Sequence, residues 1–212
     1  HLSAERIWQE IERALLEHSP LTFIDVLSDS NALDTLFPTF KHLTRNIAKL
    51  FNDHNHNAQS RILSLNTAEQ RFAWLNFVAQ LELKPSIQIQ NTLKLTESLR
   101  CSKHCKYLIN QTIAIMDLLN DWHTKTAENK LSFLQSAGVL RDNNKLEQLL
   151  EVSLSLNFDE ATNIEFRERC NALSSYVEEI ARIDHKALIE QGHSGAALGK
   201  EINRAQLQIC GK

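Results

Sequence analysis

Leu2-Ser-Ala-Glu-Arg-Ile-Trp-Gln-Glu-Ile-Glu-Arg-Ala-Leu-Leu-Glu17 opens the chain and sets how the rest is read. Ser3 suits an N-cap, because its hydroxyl can accept from a free backbone N–H of the first turn. Glu5 falls in that turn, where a negative charge meets the positive end of the helix dipole. Ile7, Trp8, Ile11, Ala14 and Leu15 recur at spacings of three and four and make one apolar stripe. Glu10, Glu12, Arg13 and Glu17 keep the opposite side wet. The stretch is an amphipathic helix with one face to bury. Similar patterns fill the chain, and only five Gly and three Pro punctuate its 212 residues. Sheets need many turns, so this scarcity argues for an all-α fold without a sheet. The expectation is an irregular multi-helix body and tail of roughly ten or more helices.

Working outward, residues 20–37 read as two short helices broken near Ser28-Asp-Ser-Asn31 and closed by Pro38. Phe40 to Phe51 carries a stripe of Leu43, Ile47, Leu50 and Phe51, with Lys41, Arg45 and Lys49 four apart on another face. Such a row is either a solvated helix side or a phosphate-contacting ridge. Asn52-Asp-His-Asn-His-Asn57 reads as a polar loop, and its His54 and His56 lack the geometry of a metal site. Thr67-Ala-Glu-Gln70 has capping-box character and opens a helix through Leu81. Pro85 begins another, which runs to Leu99. Ser102 caps a helix to about Asn120, with Cys105, Leu108, Thr112, Ile115, Met116 and Leu119 on its core side. Helices are expected at about 127–137, 142–156, 159–181, 184–190 and 194–209, with Asp142 and Asp159 as caps and Gly138 as a stop.

Hydrophobic residues make up 42% and charged residues 23% of the chain, the balance of a globular protein. No apolar run approaches a membrane span, and no signal-peptide pattern is present. Cys101, Cys105, Cys170 and Cys210 sit inside helical patterns, which suggests reduced thiols and a cytoplasmic protein. Cys101, His104 and Cys105 offer at most three ligands, short of a structural zinc site, and the competing reading is buried thiols beside a surface histidine. The net charge of −3 gives no global attraction to nucleic acid. Charge is nevertheless segregated: the net count is +4 over residues 84–106, +3 over 41–61 and −3 over 141–169. Local basic faces on an arm that cradles RNA, or plain compositional scatter, both produce such a distribution.

Particular motifs add a resemblance. Ser-x-Glu-Arg-Ile-x-x-Glu, carried by Ser3, Glu5, Arg6, Ile7 and Glu10, resembles the neck motif of bacterial class II tRNA nucleotidyltransferases, the CCA-adding enzymes and their poly(A) polymerase relatives. Ala14-Leu-Leu16, Phe23-Ile-Asp-Val-Leu27 and Ala32-Leu-Asp-Thr-Leu-Phe-Pro38 look like the family's two short helices with a Leu-Leu-Pro-type stop. Leu93-Lys-Leu-Thr-Glu-Ser-Leu-Arg100 is similar to its Leu-x-x-x-Leu-Arg-x-Pro junction, with the proline replaced. Gly192, Gly195 and Gly199 match its Gly-x-x-Gly-x-x-x-Gly turn near the end of the chain. This turn is not a P-loop, since three residues separate Gly195 from Gly199 and Lys200 is followed by Glu201. It reads either as a turn with Ser194 capping a last helix, or as a helix start whose N–H groups touch a phosphate. Within Gln70-Arg-Phe-Ala-Trp-Leu-Asn-Phe-Val78, Asn76-Phe77 stands where HD-bearing members have the His-Asp metal pair. Asn and Phe cannot replace that pair around a divalent cation, and the resemblance implies a degenerate HD region.

The resemblance implies three parts: the end of a neck and start of a body at 1–38, a degenerate HD-like region at 39–125, and a helical tail at 126–212. It implies a parent that adds CCA to tRNA from CTP and ATP with magnesium. No Asp-x-Asp pair for two metal ions occurs in the sequence, so no catalytic residue, metal or cofactor is assigned to this chain. The only methionine is Met116 and the chain begins at His1, which leads to the expectation of a fragment whose catalytic head lies upstream. The expected partners are tRNA and that head, with no membrane. Contact candidates from charge spacing are Lys41, Arg45, Lys49, Arg100, Lys103, Lys106, Lys200 and Arg204. Glu5 and Arg6 are expected at a surface with few partners, and Trp8 and Ile11 in the core. The rival is a stand-alone helical module that binds a protein and no RNA. CCA addition and poly(A) addition are not separated by these residues, and neither is the oligomeric state.

Overall fold

A computed structural model describes residues 3–51, 55–158 and 163–212, with main-chain detail alone at 51 and 55–57. Among the described residues there are thirteen α-helices, two 3-10 turns and no strand, so the fold is all-α. They are α1 (Ala4–Leu16), α2 (Pro20–Asp29), α3 (Leu33–Leu36), α4 (Leu43–Phe51), α5 (Asn55–Leu63), α6 (Ala68–Ala79), α7 (Pro85–Leu99), α8 (Lys103–Asn120), α9 (Ala127–Ser136), α10 (Asn143–Ser155), α11 (Asn163–Ala181), α12 (His185–Glu190) and α13 (Gly195–Cys210). None is long and apolar enough to cross a membrane. The chain divides into two compact units, His1–Ala114 with Glu151–Glu160, and Ile115–Leu150 with Ala161–Lys212.

In the first unit, α6 is the axis. It reads as apolar nearly all round, which marks a helix packed on every side. Every residue from Gln70 to Ala79 is buried. Thr67 starts it with a reciprocal box: its hydroxyl accepts the Gln70 N–H at 3.2 Å, and the Gln70 side chain accepts the Thr67 N–H at 3.1 Å. The opening helix α1 lays Trp8, Ile11 and Leu15 against this axis. Trp8 meets the edge of Phe72 at 5.0 Å between ring centres, and Phe37 and Phe40 close the cluster, with Phe40 5.6 Å from Phe72. Aromatic contacts of this kind add about 0.5–1.5 kcal/mol each beyond the area they bury. The break between α2 and α3 falls at Asn31, which takes a left-handed φ of 56°. Asn is one of the few side chains that tolerate it.

Three helix starts follow the sequence closely. The Ser3 hydroxyl accepts from the Arg6 N–H at 3.4 Å, and Ser102 accepts from the Cys105 N–H at 3.0 Å. Pro85 opens α7. Three others differ. The helix expected from Phe40 is a 3-10 turn, Pro38–Phe40, followed by α4 from Leu43, because Pro38 fixes φ and supplies no N–H donor. The polar loop expected over 52–57 gives way to α5 from Asn55, while residues 52–54, with His54, lie outside the described set. Ser194 holds the N-cap position of α13 but its hydroxyl makes no capping bond. There Gly195 enters at φ +50°, and the first helical bonds run to the Ser194 carbonyl instead.

In the second unit α13 packs on α9 and α11. Phe166, Cys170, Leu173, Tyr176, Val177 and Ile180 form the buried side of α11. Gly138, just past α9, sits at φ +68° and ends that helix. Trp122 stacks on Tyr176 with centres 6.2 Å apart, and the Lys130 ammonium caps the pair 4.1 Å from the Trp122 ring centre. All four cysteines are buried and unpaired.

Candidate nucleic-acid interface

The cations chosen from the sequence separate into two groups. Arg45 and Lys49 project from the wet side of α4, one turn apart, as their spacing requires. Both close on one carboxylate: Arg45 Nη2 and Lys49 Nζ each lie 2.9 Å from an oxygen of Glu82. The Lys49 ammonium, with Arg45 beside it, holds the Glu82 carboxyl below the usual carboxylate range. Arg100 leaves α7 in a left-handed conformation at φ 48° and pairs with Glu5 of α1. Hydrogen bonding at its own backbone, and then Arg100, holds Glu5 low. Arg204 faces Glu201 at 3.9 Å. Lys41, Lys103, Lys106 and Lys200 have no carboxylate partner among the described residues. Lys41, Lys103 and Lys200 are exposed and Lys106 is half-buried.

The neck-like residues lie where the sequence puts them. Ser3, Glu5 and Arg6 are exposed. Arg6 forms no side-chain bond among the described residues, while the Glu5 carboxylate pairs with Arg100 and also hydrogen-bonds its own backbone and the Ser3 side chain. Gly192 and Gly195 both take positive φ, and nothing stands within 4 Å of a Cβ added at Gly192, Gly195 or Gly199. The turn is therefore open to solvent at all three positions. Between α1 and α2 runs a shallow open groove of about 410 Å³, lined by Ala14, His18, Thr22, Phe23 and Val26 among others.

Two structural features of this region had no clear sequence signal. Arg71 is buried and has no carboxylate partner among the described residues. Its Nη1 donates to the Leu15 carbonyl at 2.5 Å and to Glu17 at 3.5 Å, and its Nε donates to Leu65 at 3.0 Å. It thereby ties the end of α1 to α6, and burial lowers its pKa from the ordinary arginine value. Four polar side chains join α6 to α7. Asn76 Nδ2 donates to Thr92 Oγ1 at 3.0 Å, Gln80 Nε2 donates to Asn76 Oδ1 at 2.9 Å, and Gln88 Nε2 donates to the Gln80 carbonyl at 2.9 Å. Asn76 is fully buried and its amide is committed to these neighbours, and Phe77 is buried beside it. This donor set does not fit a divalent cation, which wants imidazole or carboxylate ligands. No three His, Cys, Asp or Glu side chains are grouped to hold a metal ion among the described residues.

Comparison with known proteins bears on the same residues. Residues 1–43 match a family model described as a probable RNA and SrmB-binding site of polymerase A. Along 98% of its length the chain is 26% identical to a CCA-adding enzyme of Pseudomonas putida strain W619, of which it covers 51%. A CCA-adding enzyme of Hamiltonella defensa is 27% identical over 98% of the chain and 55% of the relative. Over 42 residues, 20% of the chain and 10% of the relative, identity to a multifunctional CCA protein of Thioalkalivibrio sulfidiphilus reaches 57%. No solved structure matches. The chain spans about half the length of the CCA-adding enzymes that it matches end to end. Its opening helices match the polymerase A model, and along nearly its full length the chain is similar to about half of these CCA-adding enzymes.

Proposed function

We propose that this chain is the tRNA-binding helical body and tail of a CCA-adding nucleotidyltransferase, and that it positions tRNA for a catalytic head outside this sequence. The observation that carries the reading is the coincidence of two likenesses: the end-to-end similarity to CCA-adding enzymes and the RNA-binding family model over α1 to α3. The proposed parts are the neck end and body start at 1–38, a region derived from an HD domain at 39–125, and a tail at 126–212. Magnesium, CTP and ATP belong to the head in this reading. This chain's own residues supply phosphate contacts through unpaired lysines, and a rigid α1 held by Arg71.

The HD-derived region serves packing alone. The Thr92–Asn76–Gln80 chain supports this, because the Asn76 amide donates to Thr92, accepts from Gln80 and offers a metal neither imidazole nor carboxylate. Metal-dependent turnover of cyclic nucleotides by the purified chain would overturn that part. The main reading is tested by titrating the chain with tRNA at a series of salt concentrations. The expected result is an affinity that falls steeply and log-linearly with salt, since each phosphate contact releases a counterion. No affinity at low salt would leave the protein-binding module as the better account.

A further inference from the structure

The N-terminal turn of α8 combines two features that the charge pattern alone does not join. His104 and Tyr107 lie three residues apart, one turn along the helix. Their rings stack at 6.3 Å between centres with 15° between planes. Cys105, Leu108, Ile109 and Thr112 take the buried side of the same helix, and the ring pair borders that side, since His104 lies one turn before Leu108. His104 is exposed and Tyr107 half-buried, so the pair presents aromatic surface to water. Lys103 precedes the pair in the chain and Lys106 falls between its two residues. The sequence has no Asp or Glu between Glu97 and Asp117; Glu5 is taken by Arg100, and Glu12 and Glu69 act on the buried Cys105 of this turn.

A stacked ring pair could serve only to steady a helix turn, since neighbours three apart do so for a few tenths of a kcal/mol. That role does not call for an exposed histidine beside lysines that make no ion pair among the described residues. Cations read phosphates, and flat rings take bases, because every base has a π-face. We propose that His104 and Tyr107 form a stacking platform for an unpaired base of an RNA strand, with Lys103 and Lys106 on the flanking phosphates. This rests on the RNA-binding reading above and adds a base contact to it. The platform lies outside the matched segment 1–43.

The test compares a short oligoadenylate with an abasic phosphodiester of the same length, by fluorescence anisotropy on the full chain. The unaltered protein should bind the oligoadenylate about tenfold more tightly than the abasic strand, the size of one base–aromatic stack. Tyr107→Leu and His104→Ala should bring that ratio close to one and leave abasic affinity unchanged, while Tyr107→Phe keeps the ratio. His104 is exposed, so its variant carries the test even if Tyr107→Leu disturbs folding. A ratio near one in the unaltered protein, or a ratio that survives His104→Ala and Tyr107→Leu, overturns the platform and leaves RNA binding standing. If neither oligomer nor tRNA binds at low salt, the RNA reading itself falls, and the platform with it.

Discussion

Arg71→Met gives the sharpest test of how α1 is held. The guanidinium makes two short bonds, to the Leu15 and Leu65 carbonyls, and a longer one to Glu17. Bonds from a charged donor contribute about 1.5–3 kcal/mol each. Methionine fills a similar volume but cannot donate, so two buried carbonyls lose their partner. Removing the charge also removes its desolvation cost, which offsets part of the loss. We expect the low end of the sum, about 3 kcal/mol. With a urea slope of about 2 kcal/mol per molar, the midpoint should fall by about 1.5 M. The assay is urea unfolding followed by tryptophan fluorescence, since Trp8 and Trp74 both belong to the first unit. Arg71→Lys should recover only part of the loss, because one ammonium cannot span both carbonyls in the planar geometry of the fork. A midpoint within about 0.25 M of the unaltered protein for Arg71→Met would show that the carbonyls find other donors, and the clamp argument would fail.

Three further outcomes are expected. Glu82→Gln frees Arg45 and Lys49 from their shared carboxylate, so tRNA affinity at low salt should rise a few-fold and the gain should fade at high salt; an unchanged affinity would make that ridge a solvated helix side. Gly138→Ala should lower stability by about 1–2 kcal/mol, because φ +68° penalises any Cβ; the space is open apart from ordinary contact with Lys145, so thermal unfolding reads backbone strain alone. Burial pushes the Cys170 thiol up to about 12 and Cys210 up to about 11. A thiol raised in the folded state favours folding fully below its unfolded pKa. That contribution is lost as pH climbs from about 9 towards the folded values, at about 1 kcal/mol per pH unit for each thiol. Stability measured from pH 8 to 11 should therefore decline, and Cys170→Ala should flatten the decline; a flat profile in the unaltered protein would contradict it.

The fold was legible because helix rules act locally. Ser3, Thr67 and Ser102 each cap a helix through bonds reaching only three residues ahead, and Pro85 starts one by its own ring. The stripe Trp8, Ile11 and Leu15 needed only the 3.6-residue period. What the sequence withheld lies at long separation. Arg45 and Lys49 show their spacing, but the Glu82 that neutralises them is over thirty residues away. Arg71 looks like any surface arginine until Leu15, 56 positions earlier, is found against it. Asn76 stands out in the sequence as a polar residue inside an apolar helix, yet its partners Thr92 and Gln80 emerge only once α6 and α7 pack. His104 and Tyr107 were readable in principle, since a three-residue spacing on a helix already reckoned amphipathic puts both rings on one side. The polar loop at 52–57 was misread in part because Asn and His are poor helix formers, and propensity gave way to the packing of α5 on α4 and α6.

The same separation of paired from unpaired cations sets the salt slope. Eight cations stand out by spacing, and four of them, Arg45, Lys49, Arg100 and Arg204, already face a carboxylate. A cation so paired holds no mobile anion of its own. Moving it onto a phosphate trades one counter-charge for another and leaves the carboxylate to recruit a cation from solution. Such a contact therefore contributes little to counterion release. Lys41, Lys103, Lys106 and Lys200 carry no such debt. If all eight positions meet phosphates as unencumbered charges, the slope of log affinity against log salt is about −7; if only the four unpaired lysines count, it is about −4. The structure favours the smaller value. Glu82→Gln should then steepen the slope as Arg45 and Lys49 become available. A slope near −7 in the unaltered protein, unchanged by Glu82→Gln, would mean that the ion pairs break on binding at no electrostatic cost, and charge pairing would then be no guide to which residues hold the RNA.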